Sequence, residues 1–192
     1  MRHVDSPSRA DGSISSDAEI VRQVMRGERD AYAELVNRHQ ALIYRHACGM
    51  GLDHDTSLDL VQDAFVKAYT SLEECHDPAH FRAWVFRIAR NLCLDHLKNV
   101  RRMSIPMSQL RDIESMPSRD DSADDVDRTL REALLRLPTL LREAFLLKHD
   151  AGYTYDEVAG LTNASPSAVK MRVHRARESL REFLIEQGVS AA

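Results

Sequence analysis

Apolar residues return every three or four positions from Asp17 to Arg102, the interval that lines one face of an α-helix, and each run closes on a recognisable stop. Four helices are predicted there. Ile20, Val21 and Val24 carry the first, which ends at Gly27. Tyr32, Leu35, Val36, Leu42, Ile43 and Ala47 carry the second, which ends in Gly49-Met50-Gly51. A third starts near Asp55 with the stripe Leu58, Val61, Ala64, Phe65, Ala68, Tyr69 and Leu72. Asp77-Pro78 reads as a cap with proline at the first helical position, opening a fourth helix that turns Phe81, Trp84, Val85, Ile88, Ala89, Leu92 and Leu97 inward. Trp84 is expected in the core, whereas Phe86 falls off the inner stripe and its place stays open.

Between Met103 and about Asp125 the period gives way to two prolines, several serines and a run of aspartates, a composition that predicts a linker. Helical spacing resumes with Val126, Leu130, Ala133, Leu134 and Leu137. It breaks at Pro138 and continues through Leu141, Ala144, Phe145 and Leu147 to Gly152. Thr154-Tyr155-Asp156-Glu157 has the sequence of a capping box, in which hydroxyl and carboxylate each satisfy a free backbone amide. A tight Thr162-Asn163-Ala164 turn follows, and Ser165-Pro166 caps a long helix from Ser167 to Leu184. No strand-like alternation or repeat appears. The fold class is therefore all-α: two small helical domains, residues 17–102 and 126–187, joined by a flexible acidic linker over 103–125 and preceded by a disordered leader, residues 1–16.

The length of 192 residues suits two such units, and 43% hydrophobic with 29% charged residues excludes both a disordered and a membrane-embedded chain. Charges interrupt every apolar run, and the first seventeen residues hold no signal-like block, so the expected location is cytoplasmic. Cys48, Cys75 and Cys93 lie far apart without a C-x-x-C pair, which argues against a disulfide framework or a thiolate zinc site; Cys48 and Cys93 read as small core residues. Cys75, His76 and His80, like His39 and His46, lack four ligands at a recognised spacing, so surface or capping roles are expected. No metalloprotease, phosphate-loop or serine-hydrolase motif occurs. Neither a cofactor nor a metal nor a catalytic role is expected.

A formal net charge of −4 excludes a generally basic nucleic-acid coat, and the interest lies in where charge collects. Residues 154–180 read as a helix-turn-helix. Val169, Val173, Ala176 and Leu180 share the inner face of its second helix, leaving Ser167, Lys170, Met171, His174 and Arg175 outside. From Pro166 to Arg181 the net charge is +4, which suits a DNA major groove, with flanking arginines such as Arg177 on phosphates. Residues 81–102 are net +5 with interleaved aromatics, while residues 53–77 are net −6. The basic helix can track a nucleic-acid backbone and offer surfaces to unstacked bases. Its acidic neighbour suits a basic protein partner or water.

Three stretches together carry a family resemblance: Asp59-Leu-Val-Gln-Asp-Ala-Phe65; Phe81-Arg-Ala-Trp-Val-Phe-Arg-Ile-Ala-Arg-Asn-Leu92 with Asp95; and Thr154-Tyr-Asp-Glu-Val-Ala159 followed by Ser165 to Arg177. They resemble the bacterial RNA polymerase sigma factors of the extracytoplasmic-function group. The resemblance runs from Asp17 to Leu184. It implies that the first domain is region 2 and the second region 4, with no intermediate domain.

The resemblance also implies roles. Asp59, Gln62, Asp63 and Phe65 would dock on the clamp helices of the polymerase largest subunit. The loop from Cys75 to His80, including His76 and His80, and the helix positions Asn91, Asp95, Lys98 and Arg101 would melt and read the downstream (−10) promoter element. Ser167, Lys170, Met171, His174, Arg175 and Arg177 would read the upstream (−35) element. Helices around Leu134, Leu141, Phe145 and Leu147 would sit on the flap of the second-largest subunit. An anti-sigma factor is a further implied partner, and direct membrane insertion is not. Met171 and His174 are bulky where the family varies, and the base-pocket loop is rich in His and Pro, so the promoter sequence stays open. Asp120, Asp121, Asp124 and Asp125 could mimic an RNA backbone in a basic channel or form a plain tether. Two other functions compete: an autonomous helix-turn-helix regulator, which would bind a palindrome as a dimer, and a pure interaction protein, which would not need the Lys170 to Arg177 face.

Overall fold

The computed structural model describes residues 16–103 and 121–188, and every regular element among them is helical. Residues 1–15, 104–120 and 189–192 lie outside the described residues, and with them all of the expected leader but Ser16, most of the expected linker and Asp120. Among the described residues no helix is long and apolar enough to cross a membrane.

In the first unit α1, α3 and the turn that opens α4 start on a side-chain acceptor, whereas α2 follows a 3-10 turn without one. The Ser16 hydroxyl accepts from the Glu19 amide at 3.3 Å and opens α1 (Asp17–Met25). A single 3-10 turn, Arg29–Ala31, leads into α2 (Tyr32–Gly49). Asp53 accepts from both the amide and the hydroxyl of Thr56, at 2.8 and 2.9 Å, and opens α3 (His54–Thr70). Asp77 accepts from the Ala79 amide at 3.0 Å, and the Pro78–His80 turn runs directly into α4 (Phe81–Met103). Ile20, Val21, Leu35, Ile43, Ala64, Phe81 and Val85 are buried between these helices. Each large side chain there contributes about 1.5–3 kcal/mol of transfer free energy against the entropy of ordering.

The second unit holds α5 (Asp121–Arg136), α6 (Thr139–His149), α7 (Tyr155–Thr162) and α8 (Pro166–Glu186). Ala133, Leu137, Ala176, Leu180 and Phe183 form one buried cluster, while Leu147, Val158, Val169 and Val173 belong to the cluster that continues into the core of the first unit. Helix α5 begins at Asp121, so the last five residues of the expected linker are helical. Three of them are aspartates.

The two units are packed against each other. Arg142 of α6 reaches across to the Met50 carbonyl at 2.6 Å and also donates to Leu135 and Leu137 of its own unit, at 2.6 and 3.0 Å. Arg90 of α4 grips Glu143 of α6: Nη2 donates to Oε2 at 3.0 Å, and Nε lies 2.7 Å from Oε1. Arg82 donates to the Ala151 carbonyl at 2.6 Å and lies over the Tyr153 ring; Arg101 donates to the Thr139 hydroxyl at 2.7 Å. Gly49 packs closely on the second unit: a Cβ there would come within 2.9 Å of the Leu146 methyls and displace them.

This contact decides one open position, and Trp84 departs from its expectation. Phe86 is fully buried, edge-on to His46 and Tyr153 at 4.8 and 5.5 Å, because the second unit closes over a helix face that the first unit leaves open. Trp84, expected in the core, is only half-buried, beside the loop that precedes α4. Cys93 is buried as expected, with burial pushing its thiol up to about 12, whereas Cys48 is half-buried and donates to the Ser57 hydroxyl at 3.4 Å.

Candidate nucleic-acid and polymerase interfaces

The helix-turn-helix forms by the local chemistry its sequence prescribes. The Thr154 hydroxyl accepts from the Glu157 amide at 3.3 Å, while the Glu157 carboxylate accepts from the Thr154 amide at 2.7 Å. The Thr154 amide and the Thr154 hydroxyl, which donates to the same carboxylate at 2.8 Å, hold the Glu157 carboxyl below its usual range. Asn163 ends α7 in the left-handed conformation, φ 52°, and Ser165 accepts from the Ala168 amide at 3.2 Å to start α8.

Helix α8 buries Val169, Val173, Ala176 and Leu180 and presents Ser167, Lys170, Met171, His174, Arg175 and Arg177 to solvent, so all six expected reading residues share the outside of one helix. They divide by position. Lys170, His174 and Arg177 line one wall of a groove of about 680 Å³ bounded by Phe145, Tyr155 and Leu184, while Ser167, Met171 and Arg175 stand clear of it. Lys170 lies 5.7 Å from the Tyr155 ring centre, and His174 Nδ1 lies 3.6 Å from Glu178.

In the first unit His76 and His80 flank a cavity of about 390 Å³ together with Trp84 and Arg87, and Glu157, Gly160 and Leu161 of α7 form its far wall. His80 Nδ1 sits 2.8 Å from Asp77, and the Cys75 thiol donates to the Asp77 carbonyl at 3.6 Å, so this loop is held by internal capping. Asn91, Asp95 and Lys98 are exposed on α4, with Lys98 Nζ 2.9 Å from Asp95. Arg101 is turned away from them toward Thr139. Trp84 and Arg87 join this site without having been expected in it. Their signal was the i, i+3 spacing that places them on the side of α4 next to the loop.

On α3, Asp59, Gln62 and Asp63 are exposed, but Phe65 is 5% exposed and does not stand on the surface beside them. Phe65 instead forms the floor of a groove of about 840 Å³ between α2 and α3, whose walls include Tyr32, Val36, Leu58, Val66 and Tyr69. Leu58 and Val66 are 48% and 57% exposed. Sequence reading placed Leu58 and Tyr69 inside because they keep helical spacing. Val66, an apolar residue off that stripe, was the signal that the apolar arc is too wide for one core.

Residues 35–103 match the family described as Sigma-70 region 2, and residues 127–180 match Sigma-70, region 4. The RNA polymerase sigma-H factor of Pseudomonas aeruginosa is 30% identical over 182 residues, which cover 88% of this chain and 93% of that protein. The ECF RNA polymerase sigma factor SigW of Bacillus subtilis is 27% identical over 177 residues, covering 85% of this chain and 94% of that protein. The chain belongs to the extracytoplasmic-function group of the sigma-70 family. A sigma factor directs RNA polymerase to promoters, and this chain is one; the autonomous-regulator reading is not favoured. Among solved structures, the sigma factor RpoE from Bartonella quintana, crystallised with the anti-sigma factor NepR, aligns with a TM-score of 0.62 at 26% identity, covering 84% of this chain and 97% of that one. Region 2 therefore spans α2 to α4, and region 4 spans α5 to α8.

Proposed function

We propose that this sigma factor divides its work among four surfaces. The groove between α2 and α3, apolar at Leu58, Val66 and Tyr69 and rimmed by Asp59, Gln62 and Asp63, takes the clamp helices of the polymerase largest subunit. An exposed apolar patch with an acidic rim suits an amphipathic basic partner. The loop 75–80 with Trp84, Arg87, Asn91, Asp95, Lys98 and Arg101 receives the melted −10 element; the cavity beside Trp84 offers a stacking surface for an extruded base, and its histidines and arginine offer donors. The exposed face of α8 reads the −35 element, with Lys170 and Arg175 as base or phosphate donors and Ser167, Met171 and His174 completing the contact.

The observation that carries this reading is that basic and acidic surfaces are segregated onto different helices of a chain whose two halves match regions 2 and 4. The second unit, through α5 and α6, would sit on the flap of the second-largest subunit. No catalysis is assigned to the chain, and its place of work is the cytoplasm, with the polymerase. An anti-sigma factor is a further partner, because the similar RpoE is crystallised with one. Run-off transcription with core polymerase on the DNA upstream of the chain's own gene tests the proposal. A defined transcript that depends on the added chain is expected, and polymerase that neither retains the chain nor gains initiation sites would end it.

A further inference from the structure

We propose that α1 is a working part of the −10 reader: Asp17, paired with Arg38 and His39, is a positioning residue that holds Trp84 and the loop 75–80 where an extruded base meets them. This rests on the assignment of the cavity beside Trp84 to the −10 strand.

Helix α1 lies ahead of the residues that match region 2, yet it is fastened to α2 by charge as well as by apolar contact. Arg38 Nη1 donates to Asp17 Oδ1 at 3.0 Å, and His39 Nε2 lies 2.7 Å from Asp17 Oδ2. Both carboxylate oxygens are engaged, and the Asp17 and His39 side chains are only 20% and 11% exposed. Charge-assisted bonds of this kind are directional, so they fix α1 at one angle where apolar contacts alone would tolerate several. The His39 ring lies 5.8 Å from that of Phe81, the first residue of α4, and the Phe81 ring lies 5.9 Å from that of Trp84. Phe81 is 0% exposed, and a close-packed interior has no slack, so a displacement of His39 passes through Phe81 to Trp84. The same helix supports the loop. It packs on the Pro78–His80 turn, and its Ile20, Val21 and Val24 share one buried cluster with Cys75 and Phe81. The His80 and Ala79 contacts hold the Asp77 carboxyl below its usual range, and Arg22 of α1 adds its charge to them. The half-buried Trp84 ring and the loop beside it thus take their placement from a helix that does not itself line the cavity.

Trp84 is the single tryptophan of the chain, so its fluorescence reports the placement in the full chain without polymerase. Asp17→Asn removes the charge that Arg38 and His39 share, and His39→Leu keeps bulk beside Phe81 while losing the link to α1. Both are expected to shift the Trp84 emission maximum to the red and to strengthen its quenching by acrylamide. Helicity by circular dichroism decides which variant is read; if Asp17→Asn loses it, His39→Leu carries the decision. With core polymerase on the DNA upstream of the chain's own gene, both should retain capture by the polymerase. Both should also lower the permanganate reactivity of the −10 thymines about fivefold or more, the weight of one lost base–aromatic stack. Because the effect runs through Trp84, either variant should cost nothing further in a Trp84→Ala background, whereas a purely structural role predicts additive losses. Folded variants with an unmoved Trp84 emission, or with a loss that adds in full to that of Trp84→Ala, overturn the proposal. Trp84→Ala by itself separates the two claims. Unimpaired opening removes the −10 assignment and the proposal with it, while impaired opening beside an unmoved emission in the α1 variants overturns the positioning role alone.

Discussion

The Tyr32 hydroxyl donates to the Phe65 carbonyl at 2.8 Å, fastening α2 to α3 directly beneath the exposed apolar groove. Burial, with the nearby Tyr69, raises the phenol above its usual range, so it remains a protonated donor throughout the physiological span. Tyr32→Phe should cost about 1 kcal/mol of stability, read as a lower urea midpoint, while its effect on polymerase affinity exceeds what loss of fold explains.

Surface charge in that groove should be decisive for docking and nearly neutral for folding. Val66→Asp replaces a 57% exposed residue. It is expected to change stability by no more than about 0.5 kcal/mol and to weaken capture by core polymerase about tenfold or more, as expected for a charge buried at an interface centre. Unaltered capture in a pull-down titration would move the docking surface elsewhere.

Reversing Lys170 and Arg175 to Glu should abolish use of the −35 element while leaving polymerase capture intact. Each lost contact is worth about 1–3 kcal/mol. With about five phosphate contacts from region 4, log affinity against log salt should have a slope near −4 to −5, falling by about one for each phosphate-binding residue removed. A footprinting titration at several salt concentrations measures both.

His46 is completely buried beside Phe86, and neither ring nitrogen has a partner; burial and the Arg90 charge lower its pKa to about 4. The folded-state value lies below the unfolded one. Its contribution to stability is therefore fully present above about pH 6.5 and is lost as pH falls toward 4, by up to about 3 kcal/mol. Denaturant midpoints taken from pH 7.5 down to 4.5 should slope accordingly, and His46→Leu should flatten that part of the profile.

The cap on α7 offers a local check on the reading helix. Thr154→Ala removes the hydroxyl that donates to the Glu157 carboxylate and accepts from the Glu157 amide. A loss of about 1 kcal/mol in thermal or urea unfolding is expected.

Much of this was legible before the coordinates. The α8 face was readable because Val169, Val173, Ala176 and Leu180 fix its phase and the caps at Thr154 and Ser165 fix its start. Local chemistry of that kind is written in neighbouring residues. What crosses between the units was not. Phe86 stayed unplaced because its partner, Tyr153, is 67 positions away, and nothing near Glu143 in sequence announces that Arg90, 53 positions earlier, pairs with it. Phe65 and Leu58 exchanged roles for a related reason. Spacing tells which residues share a face, but only packing tells whether that face meets the core or solvent.

Seventeen residues separate Met103 from Asp121, at most about 60 Å of fully extended backbone. Confinement within that radius makes association of the halves independent of how much protein a cell contains. The arginine-stitched boundary need not be strong enough to unite two separate molecules, and any competitor that grips either half can undo it without an energy source.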